Sequence, residues 1–135
     1  RFCQVTGVQT CALPILGTVE GTPIFCLPGD PVSTQIAFET FVRPVLRQIA
    51  GWSALHRSSL PAAVSEGWRS PAGKREFVPV HLTGSPTRGY RASPVAAPGT
   101  TPLLGLARAN AIAVVPEDTR TVVAGDRLHC LLLDA

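Results

Sequence analysis

The chain is 135 residues long with a net charge of +3, enough for one ordinary domain with a packed core, or for a small domain plus part of another. Its arginines are scattered among apolar residues without a Lys/Arg run or interleaved aromatics, so no nucleic acid partner is expected. Its apolar stretches fall well short of the roughly 20 residues that cross a bilayer, and no basic region leads into a long apolar one at the start, so a cytoplasmic protein with no membrane partner is expected.

Thirteen prolines and twelve glycines, with few aromatics and no methionine, favour many short elements joined by turns, hence a mostly β body. Residues 5–15 read Val-Thr-Gly-Val-Gln-Thr-Cys-Ala-Leu-Pro-Ile, which is also the translation of a common sequencing-library adapter. Residues 1–15 are therefore set aside as an adapter artefact, and the natural chain is expected to begin near Leu16. The alternative is a genuine strand and turn, with Val5, Val8 and Leu13 apolar and Gly7 and Pro14 as punctuation. Cys3 and Cys11 leave the argument with that segment. Cys26 and Cys130 lie in apolar runs, with no Cys-x-x-Cys pair and no histidine at ligand spacing, which predicts buried free thiols, no disulfide and no zinc.

Residues 23–27, Pro-Ile-Phe-Cys-Leu, suit a buried strand closed by the turn at Pro28 and Gly29. A helix follows at once. Asp30 can accept a hydrogen bond from the first turn, Pro31 suits the first helical position, and Val32, Ile36, Val42, Val45, Leu46 and Ile49 keep a broadly helical spacing up to the stop at Gly51. Pro44 removes one hydrogen bond inside this span and crowds a carbonyl, which predicts a kink or interruption there. Beyond Trp52, short apolar pieces at 60–64, 77–82, 90–95, 111–115 and 127–133 predict the strands of a small β domain. Residues 103–110 suit one or two helical turns instead.

Around residues 28–33, free backbone N–H groups and the positive end of a helix dipole converge, as they do in an oxyanion site. Any strand-to-helix junction also needs a turn and a cap, so the residues alone leave structure and binding both open. Asp30 sharpens the choice, because its carboxylate repels an anion unless a metal or a cation lies between them. His56, His81 and His129 have no mutual spacing that suggests a metal site.

The run Gly21-Thr22-Pro23-Ile24-Phe25-Cys26-Leu27-Pro28-Gly29-Asp30-Pro31-Val32-Ser33, followed by Phe38, Phe41-Val42-Arg43-Pro44 and Gly51, carries a resemblance. It resembles the end of the molybdopterin-binding domain of molybdopterin molybdenumtransferases, a family that includes the catalytic domain of gephyrin. The family's usual loop is Pro-Gly-Asn-Pro-Val-Ser, so Asp30 exchanges a neutral donor and acceptor for an acceptor. Pro71-Ala72-Gly73-Lys74-Arg75-Glu76-Phe77 is similar to the family segment Gly-Arg-x-Glu-Phe-x-Arg, with Lys74 where the first Arg is usual and Pro79 where the later one is. Lys74 offers a point charge without the planar fork, and a solvated turn residue is its other reading. Residues 99–110 are similar to a family segment that opens Gly-Ser and ends Ser-Leu-Ala-x-Ala-Asn, with Thr100 keeping the first hydroxyl and Gly105 losing the second. Thr100 either donates to an oxyanion or caps the short helix.

The resemblance implies an α/β remnant, the last strand and helix of the molybdopterin-binding domain at residues 16–51, plus a small mostly-β C-terminal domain at 52–135. It implies insertion of molybdate into adenylylated molybdopterin, forming molybdenum cofactor and releasing AMP, with Mg2+ assisting and a homodimer as the family's assembly. The substrate- and molybdate-binding residues it implies are Pro28, Gly29, Asp30, Pro31, Ser33, Lys74, Arg75 and Thr100. The family's acidic catalytic and metal-holding residues lie upstream, so no catalytic residue and no metal ligand is assigned in this chain, which is expected to be inactive alone. The alternative is a non-catalytic binding or assembly module derived from the same family. An acidic metal-binding motif before Leu16 would favour the enzyme, and its replacement the scaffold.

Overall fold

In the computed structural model, which describes residues 15–71, 73–95 and 102–133, the first element is a hairpin. Strands β1 (Ile15–Val19) and β2 (Thr22–Cys26) pair antiparallel, with Val19 opposite Thr22 and a two-residue loop of Glu20 and Gly21. Both loop residues have positive φ, 50° and 79°, the mirror-image turn whose twist matches a two-stranded ribbon. Of the segment set aside at 1–15, only Ile15 lies within the described residues.

The expected buried strand at 23–27 is corrected by this hairpin. Leu16 is 64% exposed, Ile24 is 41% exposed and Cys26 is also exposed, because a two-stranded ribbon has no third layer of its own to cover its faces. Cys26 is thus a free thiol, but not a buried one.

The helix follows as α1 (Pro31–Ala37), a π-helical turn (Phe38–Val42) and α2 (Arg43–Ile49). The interruption expected at Pro44 begins one turn earlier. The Arg43 N–H reaches back five residues to the Phe38 carbonyl, and Pro44 then falls in the first turn of α2, where a residue without an N–H is best accommodated. The Trp52 N–H bonds to the Arg47 carbonyl at 2.9 Å and the Gly51 N–H to the Gln48 carbonyl at 3.1 Å, closing the helix at the predicted stop.

The remaining strands are β3 (Ser59–Val64), β4 (Trp68–Arg69), β5 (Glu76–Ser85), β6 (Gly89–Pro94), β7 (Ala111–Val115), β8 (Thr121–Val122) and β9 (Arg127–Leu132). Five of them close into a barrel in the order β3-β6-β5-β7-β9, with β4 and β8 as a separate short pair. Neighbours in the barrel run antiparallel except β3 and β6, which are parallel. The observed body is therefore mostly β. Ala62, Ala92, Ala111 and Ala113 are small enough for the strands to close around Val64, Val80, Val115 and Leu128. Each of these larger side chains contributes about 1.5–3 kcal/mol by leaving water. Cys130 is buried among them as a free thiol, and burial pushes its pKa up to about 11, so it stays neutral.

Helix α3 (Pro102–Arg108) bears out the turns expected near residues 103–110. A side chain at Gly105 would place its Cβ 3.2 Å from the Val95 carbonyl oxygen, so a larger residue there requires the chain at the end of β6 to give by a few tenths of an ångström. Asn110, which ends the Leu-Ala-Arg-Ala-Asn run, grips Leu82 of β5 twice. Its side-chain oxygen accepts from the Leu82 N–H at 2.6 Å, and its amide nitrogen donates to the Leu82 carbonyl at 3.0 Å. The Asn110 side chain thereby completes the edge of β5 like another strand. Asn110→Ala should destabilise the barrel by about 1–3 kcal/mol, read as a lower urea midpoint at unchanged m-value.

Candidate functional site

The junction at residues 28–34 is organised by its own hydrogen bonds. Asp30 is the N-cap of α1, and its Oδ2 accepts from the Ser33 backbone N–H at 2.8 Å. Those hydrogen bonds from Ser33 hold the Asp30 carboxyl below its ordinary value of 3.8. Thr34 binds the turn from the other side: its Oγ1 donates to the Asp30 carbonyl at 2.8 Å and also to the Pro28 carbonyl. Pro31 is at the start of α1, as expected. A Cβ at Gly29 would meet nothing within 4 Å, so open space lies against its backbone.

Lys74 and Arg75 lie on the turn that leads into β5. That turn is pinned to the chain after β7, with the Gly73 N–H on the Glu117 carbonyl at 2.9 Å. Arg75 also pairs with the Glu117 side chain, Nη2 to Oε2 at 3.0 Å and Nε to the same oxygen at 3.1 Å. Lys74 is exposed and makes no hydrogen bond or ion pair among the described residues.

A cavity of about 530 Å³ brings the two segments together. Ser33, Ile36, Thr40 and Phe41 line it from the helix, and Lys74, Arg75 and Phe77 from the start of β5. Three of the residues implied by the resemblance, Ser33, Lys74 and Arg75, therefore line one cavity although Ser33 and Lys74 are 41 positions apart in the chain (74 minus 33), and Arg75 is committed to Glu117. Pro28, Gly29, Asp30 and Pro31 are not among its lining residues. Thr100 lies outside the described residues. Pro79 sits in β5 opposite Ile112 and supplies no cation.

What holds the helix against the barrel is a cluster that no motif announced. Glu39, in the π-helical turn, is only 6% exposed. Arg57, in the linker before β3, donates to both of its oxygens, Nε to Oε2 at 2.8 Å and Nη2 to Oε1 at 3.0 Å. Arg43 lies 3.7 Å from Oε2, and the Gln35 amide donates to Oε1 at 3.3 Å. Arg43 also donates to the Leu55 carbonyl at 3.3 Å, and Arg47 to the Ala54 carbonyl at 2.6 Å while stacking over Trp52. Glu39 and Arg57 line a second cavity with Leu103, Leu106 and Ala107 of α3, so the ion pair faces the barrel's own helix. The spacing of Glu39 and Arg43 is visible in the sequence as a helical charge pair; nothing there announces Arg57.

Among the described residues, no three His, Cys, Asp or Glu side chains come together as a metal site. The Mg2+ implied by resemblance therefore finds no donor set in these residues, and Asp30, the nearest carboxylate to the loop, already caps a helix.

The fold has close counterparts of known structure. Two structures of a molybdopterin biosynthesis MoeA protein from Pyrococcus horikoshii superpose with TM-scores of 0.75 and 0.70, at 24% and 25% identity. They cover 90% and 87% of this chain and 29% of those chains. The sequence itself goes further: residues 61–133 match the family described as MoeA C-terminal region (domain IV). The chain is also 38% identical over 114 residues to molybdopterin molybdenumtransferase 2 of Mycobacterium tuberculosis, covering 84% of this chain and 27% of that protein. The chain belongs to the molybdopterin molybdenumtransferase family, and it spans about a quarter of the length of the curated relatives it matches.

The Asp30 cap has a testable pH signature. Its folded value lies below the ordinary 3.8, so the stabilisation is fully present above that value and is lost as pH falls through the lowered one. Asp30→Asn keeps an acceptor oxygen for the Ser33 N–H. In thermal melts it should match the native chain at neutral pH and lack the acid-side loss attributable to this carboxylate, whereas Asp30→Ala should melt lower at neutral pH.

Proposed function

We propose that this chain supplies one wall of the site at which a molybdopterin molybdenumtransferase inserts molybdate into adenylylated molybdopterin, releasing AMP and forming molybdenum cofactor. The supporting observation is the shared cavity of Ser33 and Lys74. A tetrahedral dianion there meets the Lys74 ammonium and the Ser33 hydroxyl, which otherwise donates to the Asp30 carboxylate. The Glu76 carboxylate on the same wall accepts from Trp68 Nε1 at 3.2 Å. The Gly29 backbone lies on the adjoining turn, and Thr100 is a further donor by resemblance. On this reading Asp30 acts through the turn it caps, because its Oδ2 is already engaged by Ser33. Arg75, paired to Glu117, orients the turn that carries Lys74.

The same reading assigns residues 16–51 to the edge of an α/β molybdopterin-binding domain. Supporting it are Leu16, Val19, Ile24, Phe41, Leu46 and Ile49, all exposed on the hairpin and helix, an apolar surface of the kind a neighbouring layer covers. The catalytic acidic residues and the Mg2+ donors belong to that larger body, so the chain does not turn over alone. It works in the cytoplasm, within the family's homodimer.

AMP release from adenylylated molybdopterin tests this in the intact enzyme. Lys74→Ala removes one charge-assisted contact, worth about 1.5–3 kcal/mol, and should raise the molybdate concentration for half-maximal release about 10- to 100-fold. The 135-residue chain alone should release no AMP. An unchanged molybdate dependence in Lys74→Ala would remove Lys74 from the site, and robust turnover by the short chain would show that the acidic residues are dispensable.

A further inference from the structure

On the barrel wall, β3 lies between β6 and β9, and Ala63 is in register with Arg91 on one side and Arg127 on the other. Residues opposite one another on neighbouring strands point to the same face, so two arginines flank a single methyl group. With strands about 4.8 Å apart, the two Cα positions are separated by roughly 10 Å, close enough for both guanidinium groups to reach one ligand. Arg88, from the turn between β5 and β6, joins them, and all three line one cavity of about 420 Å³ together with Leu60, Pro61 and Tyr90.

Among the described residues, no aspartate or glutamate lines that cavity. None of the three guanidinium groups forms a hydrogen bond or ion pair among the described residues. The carboxylate nearest in sequence, Asp126, is turned to the Val123 N–H, from which its Oδ2 accepts at 2.9 Å. Three like charges gathered around one cavity repel one another, and a multivalent anion relieves that repulsion. Among the described residues, this cavity shares no lining residue with the one that holds Ser33 and Lys74.

We infer that this cavity binds a phosphorylated small molecule, with the phosphate held by the Arg91 and Arg127 forks and Arg88, and an apolar body resting on Pro61, Ala63 and Pro86. Arginine suits the phosphate because its planar fork bonds two oxygens at once. The volume suits a ligand larger than a bare phosphate ion, within the range of small-molecule pockets. The inference rests on the barrel alone and does not depend on the proposed molybdate site.

Isothermal titration of the intact protein at low salt tests it with phenyl phosphate, inorganic phosphate and phenol. Phenyl phosphate should bind more tightly than inorganic phosphate, and phenol should not bind. The double substitution Arg91→Ala with Arg127→Ala should weaken phenyl phosphate at least about tenfold, while Lys74→Ala should leave it unchanged. Arg91→Lys with Arg127→Lys keeps the charges and loses the forks, so it should also weaken binding even if the alanine variant folds poorly. The inference is overturned if phenyl phosphate fails to bind, if both double variants bind it like the native protein, or if Lys74→Ala weakens it equally.

Discussion

A carboxylate taken out of water inside a helix has to be met by a partner that restores most of its hydration energy. Glu39 is met by the full fork of Arg57, by Arg43 at longer range and by the Gln35 amide. Removing one member of such a buried pair typically costs about 3–5 kcal/mol, because the other charge is left stranded. Arg57 sits in the linker, two residues before β3, so the pairing fixes where the helix stands relative to the barrel. Arg43 and Arg47 repeat the device on a smaller scale through the Leu55 and Ala54 carbonyls.

The placement of the candidate site follows from that latch. Ser33 is six residues, about 1.7 turns, before Glu39 on the same helix, while Lys74 is carried by a turn fastened to the barrel through Gly73 and the Arg75–Glu117 pair. While the Glu39–Arg57 pair lines a cavity against α3, Ser33 and Lys74 line the neighbouring one. The polar groups around that cavity then divide into two kinds. Glu76 and Arg75 already have partners and shape the walls, whereas Lys74 retains an unpaired charge among the described residues.

Much of the barrel was legible because β5, β6, β7 and β9 each carry apolar residues bounded by Gly or Pro, and the strand expected at 111–115 is found with those bounds. Strands β4 and β8 were not, since two residues cannot display an alternation. The run at 23–27 misled for another reason: apolar character signals a strand, but only a covering layer makes it buried, and that layer is not written in the run itself. In the site, Asp30 and Pro31 announced their capping roles locally. Arg57 was invisible, because its partner lies 18 residues away across an irregular linker. Asn110 stood out by resemblance, and its double bond to Leu82 supplies a physical reason for that residue type at that place.

The most direct test of the latch is a distance measurement by pulsed electron paramagnetic resonance, with spin labels at the exposed positions Gln48 on α2 and Arg69 on β4. With Glu39 intact, the helix is held to the barrel and the distance distribution should be single and narrow. In Glu39→Ala, with the barrel still folded by circular dichroism, it should broaden or split. The same narrow distribution in that variant would show that the helix is held by something other than the Glu39–Arg57 pair.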